Sequence, residues 1–417
     1  MRERFLIASF LIIPFLVSFV NAQGLGVQIS DTQTKIKQLE SEIASTEKEL
    51  VKTEREKNTL SNNIKSLDLT KKKLEAETKV TENKVTITSN SIDDLADQIG
   101  AHTNEISKRT ESIAGMIRNL QGALDATPIE IILSSDTISG KLDRMYSLTR
   151  LQDRVRADLE QLKLERTELS YNKKDLEEAR QELLALKDQL SDKHRLTLDN
   201  ISTKNKLLSD TKNKEANYKI QLEQKIIQKE QFEAELRAYE EKLKGIDISK
   251  LPTGGSGVLS WPLKNVTITQ YFGNTEFAKA GAYKGSGHNG IDLRASVGTA
   301  VYSAGGGRVT STGNTDLGCP GGSYGRWVLI DHSNGLSTIY AHLSLQKVDS
   351  GAIVERGNLI GYSGNSGYST GPHLHFGVYA TEGVKVIRLI KADGTLGKCP
   401  EMPVSPLNGY LNPLLYL

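Results

Sequence analysis

In this 417-residue chain, 53 Lys and Arg stand against 51 Asp and Glu, a net charge of +2. That balance offers neither the basic field that binds nucleic acid nor an acidic field for cationic ligands. With 25% charged and 37% apolar residues, the composition suits long polar helices joined to a compact domain, with room for two or three domains.

The first 22 residues read as a secretory signal. Arg2 and Arg4 give a positive start, Phe5 to Val20 is an almost unbroken apolar run, and Val20-Asn21-Ala22 offers a cut before Gln23. The alternative is an uncleaved N-terminal anchor. No later segment has enough consecutive apolar residues to span a bilayer. The expected location is therefore outside the cytoplasmic membrane, in the periplasm or the cell-wall space.

From Ile36 a seven-residue beat follows, with Ile36, Ile43, Leu50, Ile64, Ile92, Ile99, Ile106 and Ile113 in one row and Leu39, Leu60, Leu67, Leu74 and Leu95 in its companion. This is a coiled-coil pattern, weakened by Lys57, Thr53, Thr78 and Thr81 at core positions. His102 falls in the seam and reads as a packed or solvated side chain. Pro128 ends the first run, and a second carries Leu148, Val155, Leu162, Leu169, Leu176, Leu183 and Leu190. The expectation is an antiparallel helical hairpin over residues 28–245 with a break near 125–140. Its first arm would be about 130 Å long at the helical rise. The apolar tip, Ile129 to Leu133, is a candidate docking patch for a partner or a local cap.

Residues 246–257 contain Pro252-Thr253-Gly254-Gly255-Ser256-Gly257, a flexible linker by composition. From Val258 to Leu417 glycine becomes frequent and short β-branched and aromatic runs appear. Arg308–Thr312, Trp327–Ile330 and Leu374–Tyr379 read as strands, so an all-β domain of antiparallel sheets is expected.

Four of the chain's seven histidines fall in three motifs of this region: Gly287-His288-Asn289-Gly290-Ile291-Asp292, Tyr340-Ala341-His342-Leu343 and Gly371-Pro372-His373-Leu374-His375-Phe376. Imidazoles with a carboxylate are the donor set of a zinc site, and a catalytic zinc takes about three protein ligands and keeps one place for water. If strand pleating holds, His288 and Asp292 share a face, as do His373 and His375, while His342 would lie at a strand end. Five candidates for three or four places imply that some bind metal and others handle protons. Cys319 and Cys399 lie in turn-like loops; in an oxidising compartment they are most simply a disulfide, the alternatives being free thiols or metal ligands.

These motifs, in this order, resemble the LytM/lysostaphin-type zinc metallopeptidases that cut peptide bonds in bacterial peptidoglycan. The likeness runs from Ser260-Trp261-Pro262 to Tyr410-Leu411-Asn412-Pro413. It includes Ile330-Asp331-His332-Ser333-Asn334-Gly335 and Gly361-Tyr362-Ser363-Gly364-Asn365-Ser366-Gly367. It implies one zinc ion held by His288, Asp292 and His375, with His342 and His373 off the metal. One of those two would take a proton from the attacking water, and the other would stabilise the oxyanion. His332 and Tyr340 read as structural, and Tyr283, Tyr324 and Tyr368 as candidates to line a substrate groove. Phe272-Gly273-Asn274-Thr275 departs from the common Phe-Gly-x-Arg, as does the long segment from Thr381 to Pro406.

Signal, coil and β domain together resemble the EnvC-type cell-division factors, whose hydrolase domains are often degenerate and whose coils engage a membrane transporter-like complex. Because every ligand and both auxiliary histidines are present, an exported zinc endopeptidase acting on peptidoglycan is expected, with a coil that positions or regulates it. The alternatives are a non-hydrolytic amidase activator and an extracellular spacer. A further expectation is that the coil covers the groove until a partner binds its tip.

Overall fold

The computed structural model describes residues 18–55, 59–124, 138–255, 257–273, 287–319, 321–369, 371–389 and 399–417. The signal segment up to residue 17, the helix break at 125–137 with its apolar tip, and Tyr283 lie outside them. None of the described helices is long and apolar enough to cross a membrane.

Among the described residues, four long helices precede the β domain: α1 (Ser18–Arg55), α2 (Leu60–Leu124), α3 (Ile138–Thr211) and α4 (Glu215–Glu240). The chain forms two compact units, one containing residues 79–190 and the other residues 39–78 with 191–417. In the first, Ile113 packs with Val155 and Leu162. Arg109 reaches Glu165 at 2.9 Å and Asp158 at 3.6 Å. Residue 109 opposite 165 and 113 near 162 mark antiparallel helices whose seam is the apolar repeat. His102 lies 3.9 Å from Glu168 in the same seam.

The expected single first arm is instead two helices. α1 ends at Arg55 and α2 begins at Leu60, and α1 returns along α2: Lys72 pairs with Glu42 at 3.3 Å and Lys65 with Glu49 at 3.2 Å. The seven-residue beat is polar at this point, with Thr53 and Lys57 in the core rows, so no apolar seam holds one continuous rod. The Thr59 hydroxyl accepts the Asn62 N–H at 3.2 Å and caps the new helix. At the 1.5 Å rise, the 65 residues of α2 span roughly 98 Å.

Among its described residues, the β domain is one large antiparallel sheet and a small ribbon. The strands are β1 (Ile268–Gln270), β2 (Ile291–Arg294), β3 (Ala300–Tyr302), β4 (Gly307–Asn314), β5 (Arg326–Asp331), β6 (Leu336–Gln346), β7 (Ile353–Val354), β8 (Leu359–Ser363), β9 (His373–Ala380), β10 (Lys385–Ile387), β11 (Met402–Val404) and β12 (Tyr410–Leu411). The main order is β1-β2-β9-β6-β5-β4-β7; β12 pairs with β9, and β8 pairs with β6 and β3. Strand alternation sorts the side chains. Ile291, Leu293, Val328, Ile330, Leu336, Tyr340, Leu374, Phe376 and Val378 fill one apolar layer. Trp327, Leu329, Ile339, Ala341 and Tyr379 fill the other, closed by Met402 and Val404 of β11 and by Cys399. Cys319 and Cys399 are disulfide-bonded across 80 residues of sequence. With both faces covered, β6 is an almost continuous buried run.

The segment expected to be a flexible linker is tied down. The Asn408 side chain donates to the Ile246 carbonyl at 2.8 Å, Arg356 donates to the Gly257 and Val258 carbonyls, and Leu251 packs on the sheet core. Within this unit, helical residues also rest on the β8 edge. Leu74 and Leu196 pack with Leu345 and Tyr362. Asp192, 1% exposed, accepts from the Tyr362 hydroxyl and from Lys347. Lys73, 2% exposed, donates to Ser296 at 2.6 Å while pairing with Glu47 at 2.9 Å. Buried charges of this kind are tolerated only when paired, which fixes the register of the helices on the sheet.

Candidate metal centre

Asp292 and His375 are opposed directly in the β2–β9 ladder, and Ala341 of β6 opposes His375 on its other side. Because Ile291, Leu293, Leu374 and Phe376 turn into one apolar layer, alternation sends Asp292, His373 and His375 to the opposite face. His288 reaches them by a different route from the expected one. It precedes β2, bridges to Gly273, and the chain bends through Asn289 and Gly290 before the strand begins. A bend, rather than a shared strand face, brings His288 to Asp292. Gly290 makes room for this: a Cβ there would lie 2.8 Å from His375 Cε1.

Three donor atoms converge. His288 Nε2 lies 3.0 Å from His375 Nδ1, His375 Nδ1 lies 3.0 Å from Asp292 Oδ1, and His288 Nε2 lies 3.3 Å from Asp292 Oδ1. All three residues are buried. A tetrahedral zinc with bonds of about 2.0–2.1 Å separates its ligand atoms by about 3.3 Å, so the triangle has the size of one such ion. His288 Nδ1 faces the Tyr271 carbonyl at 3.0 Å. A carbonyl only accepts, so Nδ1 carries the ring proton and Nε2 presents its lone pair, the usual way an outer partner orients a metal-binding imidazole. Burial alone would raise the Asp292 carboxyl, but His288, His375 and His373 outweigh it and hold it well below the usual carboxylate range. Burial likewise pushes the His375 imidazole down. The trio is thus a carboxylate and two imidazoles, the donor set of a zinc site.

His342 and His373 flank the trio. Their rings lie 4.6 Å apart, and His342 is 5.9 Å from His375. His342 was expected at a strand end; it sits within β6, at a register shift opposite Arg326 and Val328. Its φ is 61°, left-handed for a residue with a Cβ, at a penalty of about 1 kcal/mol or more. Its N–H donates to the Tyr324 carbonyl at 2.8 Å, and Nδ1 meets the Ser366 carbonyl at 2.8 Å. His342 is therefore the Nδ1–H tautomer with Nε2 bare. Burial, followed by the neighbouring His373 and His375, holds it well below the ordinary histidine value, so it is neutral at neutral pH. His373 Nδ1 lies 2.8 Å from the Gly371 carbonyl, and its Nε2 is 3.6 Å from Asp292 Oδ1.

The remaining candidates separate. His332 is structural, bonded to the Gly306 carbonyl at 3.0 Å and Thr338 Oγ1 at 2.7 Å. The buried Tyr340 hydroxyl accepts the Ala304 N–H at 2.7 Å. Tyr324 does not line an open groove. It is buried beneath the site, its hydroxyl accepting from Asn289 Nδ2 at 2.9 Å and meeting that of Tyr379 at 2.9 Å. Tyr368 is half-buried on the loop before His373. Sequence reasoning did not single out Asn289, which ties the residue after His288 to Tyr324. Nor did it single out Ser366, which fixes the His342 tautomer; its place in a Gly-x-x-Gly turn was the available signal.

Residues 286–386 match Peptidase family M23. Over 89 residues the chain is 45% identical to the peptidoglycan DD-endopeptidase ShyA of Vibrio cholerae serotype O1, covering 21% of this chain and 19% of that protein. It is 44% identical over 89 residues to the DD-carboxypeptidase/endopeptidase Mpg of Neisseria meningitidis serogroup B, with the same coverage of 21% and 19%. The chain thus spans about a fifth of the length of these two curated relatives. Among solved structures, the catalytic domain of lysostaphin from Staphylococcus simulans is 30% identical, over 28% of this chain and 80% of that one, with a TM-score of 0.24.

Proposed function

From a chain whose residues 286–386 form a Peptidase family M23 domain, we propose an exported zinc endopeptidase that hydrolyses peptide cross-links of bacterial peptidoglycan. The observation that carries this reading is the triangle of His288 Nε2, Asp292 Oδ1 and His375 Nδ1, sized for a single ion. A zinc held there supplies a Lewis acid and an acidified water. The chain's own residues do the rest. His342, neutral and with Nδ1–H committed to Ser366, offers Nε2 as the proton acceptor. His373, its Nε2 3.6 Å from Asp292 Oδ1, is the second imidazole assigned to the developing oxyanion, and the proton that His342 takes from the water is the one returned to the leaving amine. An activator that performs no hydrolysis has no use for this convergence of ligands and two flanking imidazoles.

The coil is assigned a positioning or regulating role, supported by the buried contacts of Lys73, Leu74, Asp192 and Leu196 with the β domain. The apolar stretch Ile129 to Leu133 of the sequence is the place proposed for a membrane-bound division partner. Export rests on the N-terminal apolar run and agrees with the Cys319–Cys399 disulfide.

The test is digestion of purified, cross-linked peptidoglycan by the full chain, with and without chelator, and mass analysis of the fragments. New amine and carboxyl termini at the cross-links, lost with chelator and restored by zinc, are expected. Fragments identical to the enzyme-free control after zinc is restored would refute hydrolysis.

A further inference from the structure

The loop that carries Cys319 and the loop before His373 are packed backbone to backbone. Gly325, φ 61°, has no room for a Cβ, which would lie 2.3 Å from Ser366 C; at Gly367, φ 69°, a Cβ would lie 2.2 Å from Gly325 N. The Tyr368 N–H donates to the Ser323 carbonyl at 2.9 Å, and the Arg326 N–H to Ser366 Oγ at 2.9 Å. One carboxylate joins this contact. Asp316 lies in a single 3-10 turn, Thr315–Leu317. Its Oδ1 accepts the Gly321 N–H at 2.8 Å and its Oδ2 the Gly367 N–H at 2.9 Å.

The Gly367 N–H belongs to the same peptide group as the Ser366 carbonyl. There are no cis peptide bonds among the described residues, and in a trans peptide the N–H and C=O point in opposite directions. Asp316 therefore grips one side of the Ser366–Gly367 peptide while the other side accepts Nδ1–H of His342 at 2.8 Å. We propose that Asp316 is a positioning residue for His342, acting through this peptide as a carboxylate–peptide–imidazole relay.

Two effects follow. The carboxylate prevents the peptide from turning over; a turned peptide would aim its N–H at His342 and force the proton onto Nε2, closing the lone pair that the reaction needs. It also polarises the peptide, because hydrogen bonds in series strengthen one another and one to a charged acceptor is stronger than a neutral one. The Ser366 oxygen then becomes a better acceptor for Nδ1–H, and His342 Nε2 a better base. Asp316 reaches His342 only through this peptide; its own carboxylate oxygens are taken by the Gly321 and Gly367 N–H groups.

The catalytic half of this proposal rests on the hydrolytic reading above; the tautomer half does not. The experiment uses the full zinc-loaded chain with 15N-labelled histidine, reading the His342 tautomer by NMR alongside hydrolysis, zinc content and thermal stability. Wild type is expected to show His342 as the Nδ1–H form alone. Asp316→Ala is expected to populate both tautomers and to lower kcat about tenfold, with KM and zinc content within twofold of wild type. Asp316→Asn, which keeps an acceptor but not the charge, is expected to retain the Nδ1–H tautomer and to recover only part of kcat. An Nε2–H tautomer in wild type overturns the proposal without recourse to any variant, should Asp316→Ala not fold. A wild-type tautomer together with wild-type kcat in Asp316→Ala also overturns it. A tautomer change in a chain that never cuts peptidoglycan would leave the relay standing and remove the hydrolytic reading instead.

Discussion

His373→Ala and His342→Ala should each bind zinc like wild type and yet lose at least a hundredfold in hydrolysis, whereas Asp292→Ala should lose both. The split follows from where the polar atoms point. Asp292 Oδ1 lies within 3.0–3.3 Å of the two ligand nitrogens. His342 and His373 each commit Nδ1 to a backbone carbonyl, leaving Nε2 for proton transfer, a contribution of about 10²–10⁴ in rate. Asp292→Ala also removes the carboxylate that faces His288, His373 and His375 in a buried site. Zinc content by mass spectrometry, set beside initial rates on peptidoglycan, checks the pattern. Equal zinc loss in all three variants would mean that the flanking histidines are ligands too.

Replacing Cys319 and Cys399 together by serine should lower stability by about 2–5 kcal/mol, the range for bridges that close long loops. The bridge spans 80 residues, and constraining a loop of that length removes an unfolded-state entropy worth about 4.5 kcal/mol at most. Its loss reaches the site as well. Cys399 packs with Trp327, Leu329 and Met402, and the loop that Cys319 anchors carries Tyr324, whose carbonyl holds the His342 N–H in its left-handed conformation. A denaturant titration of the double variant gives the stability difference directly. A midpoint unchanged from wild type would show that the loop is held by its hydrogen bonds alone.

What the sequence revealed and what it concealed have separate physical causes. Alternation along β9 and β2 is local, so it placed His373 and His375 on one face, and the structure sets Asp292 directly across from His375. The helical repeat is local as well, and Ile113, Val155 and Leu162 meet where it predicts. The return of α1 along α2 was not legible because the same heptad rows serve one long rod or two shorter ones; only the polar pair Thr53 and Lys57 marked the break. The pleat could not foretell that His288 arrives by a bend at Asn289 and Gly290, nor that His342 sits at an irregularity inside β6 rather than at its end. Such shifts are set by strands distant in sequence. Tyr324 looked like a groove residue and is buried, since its hydroxyl finds Asn289 and Tyr379. Asp316 gave no signal at all, because its partner peptide lies 51 residues away.

The measurement closest to the centre of this account is the X-ray absorption spectrum of zinc in the purified full chain, compared with zinc in Asp292→Ala. One zinc per chain, bound by nitrogen and oxygen at about 2.0–2.1 Å with no sulfur, and absent from the variant, is the predicted result. A zinc-free wild type, or one whose zinc is unchanged by the loss of Asp292, would contradict it.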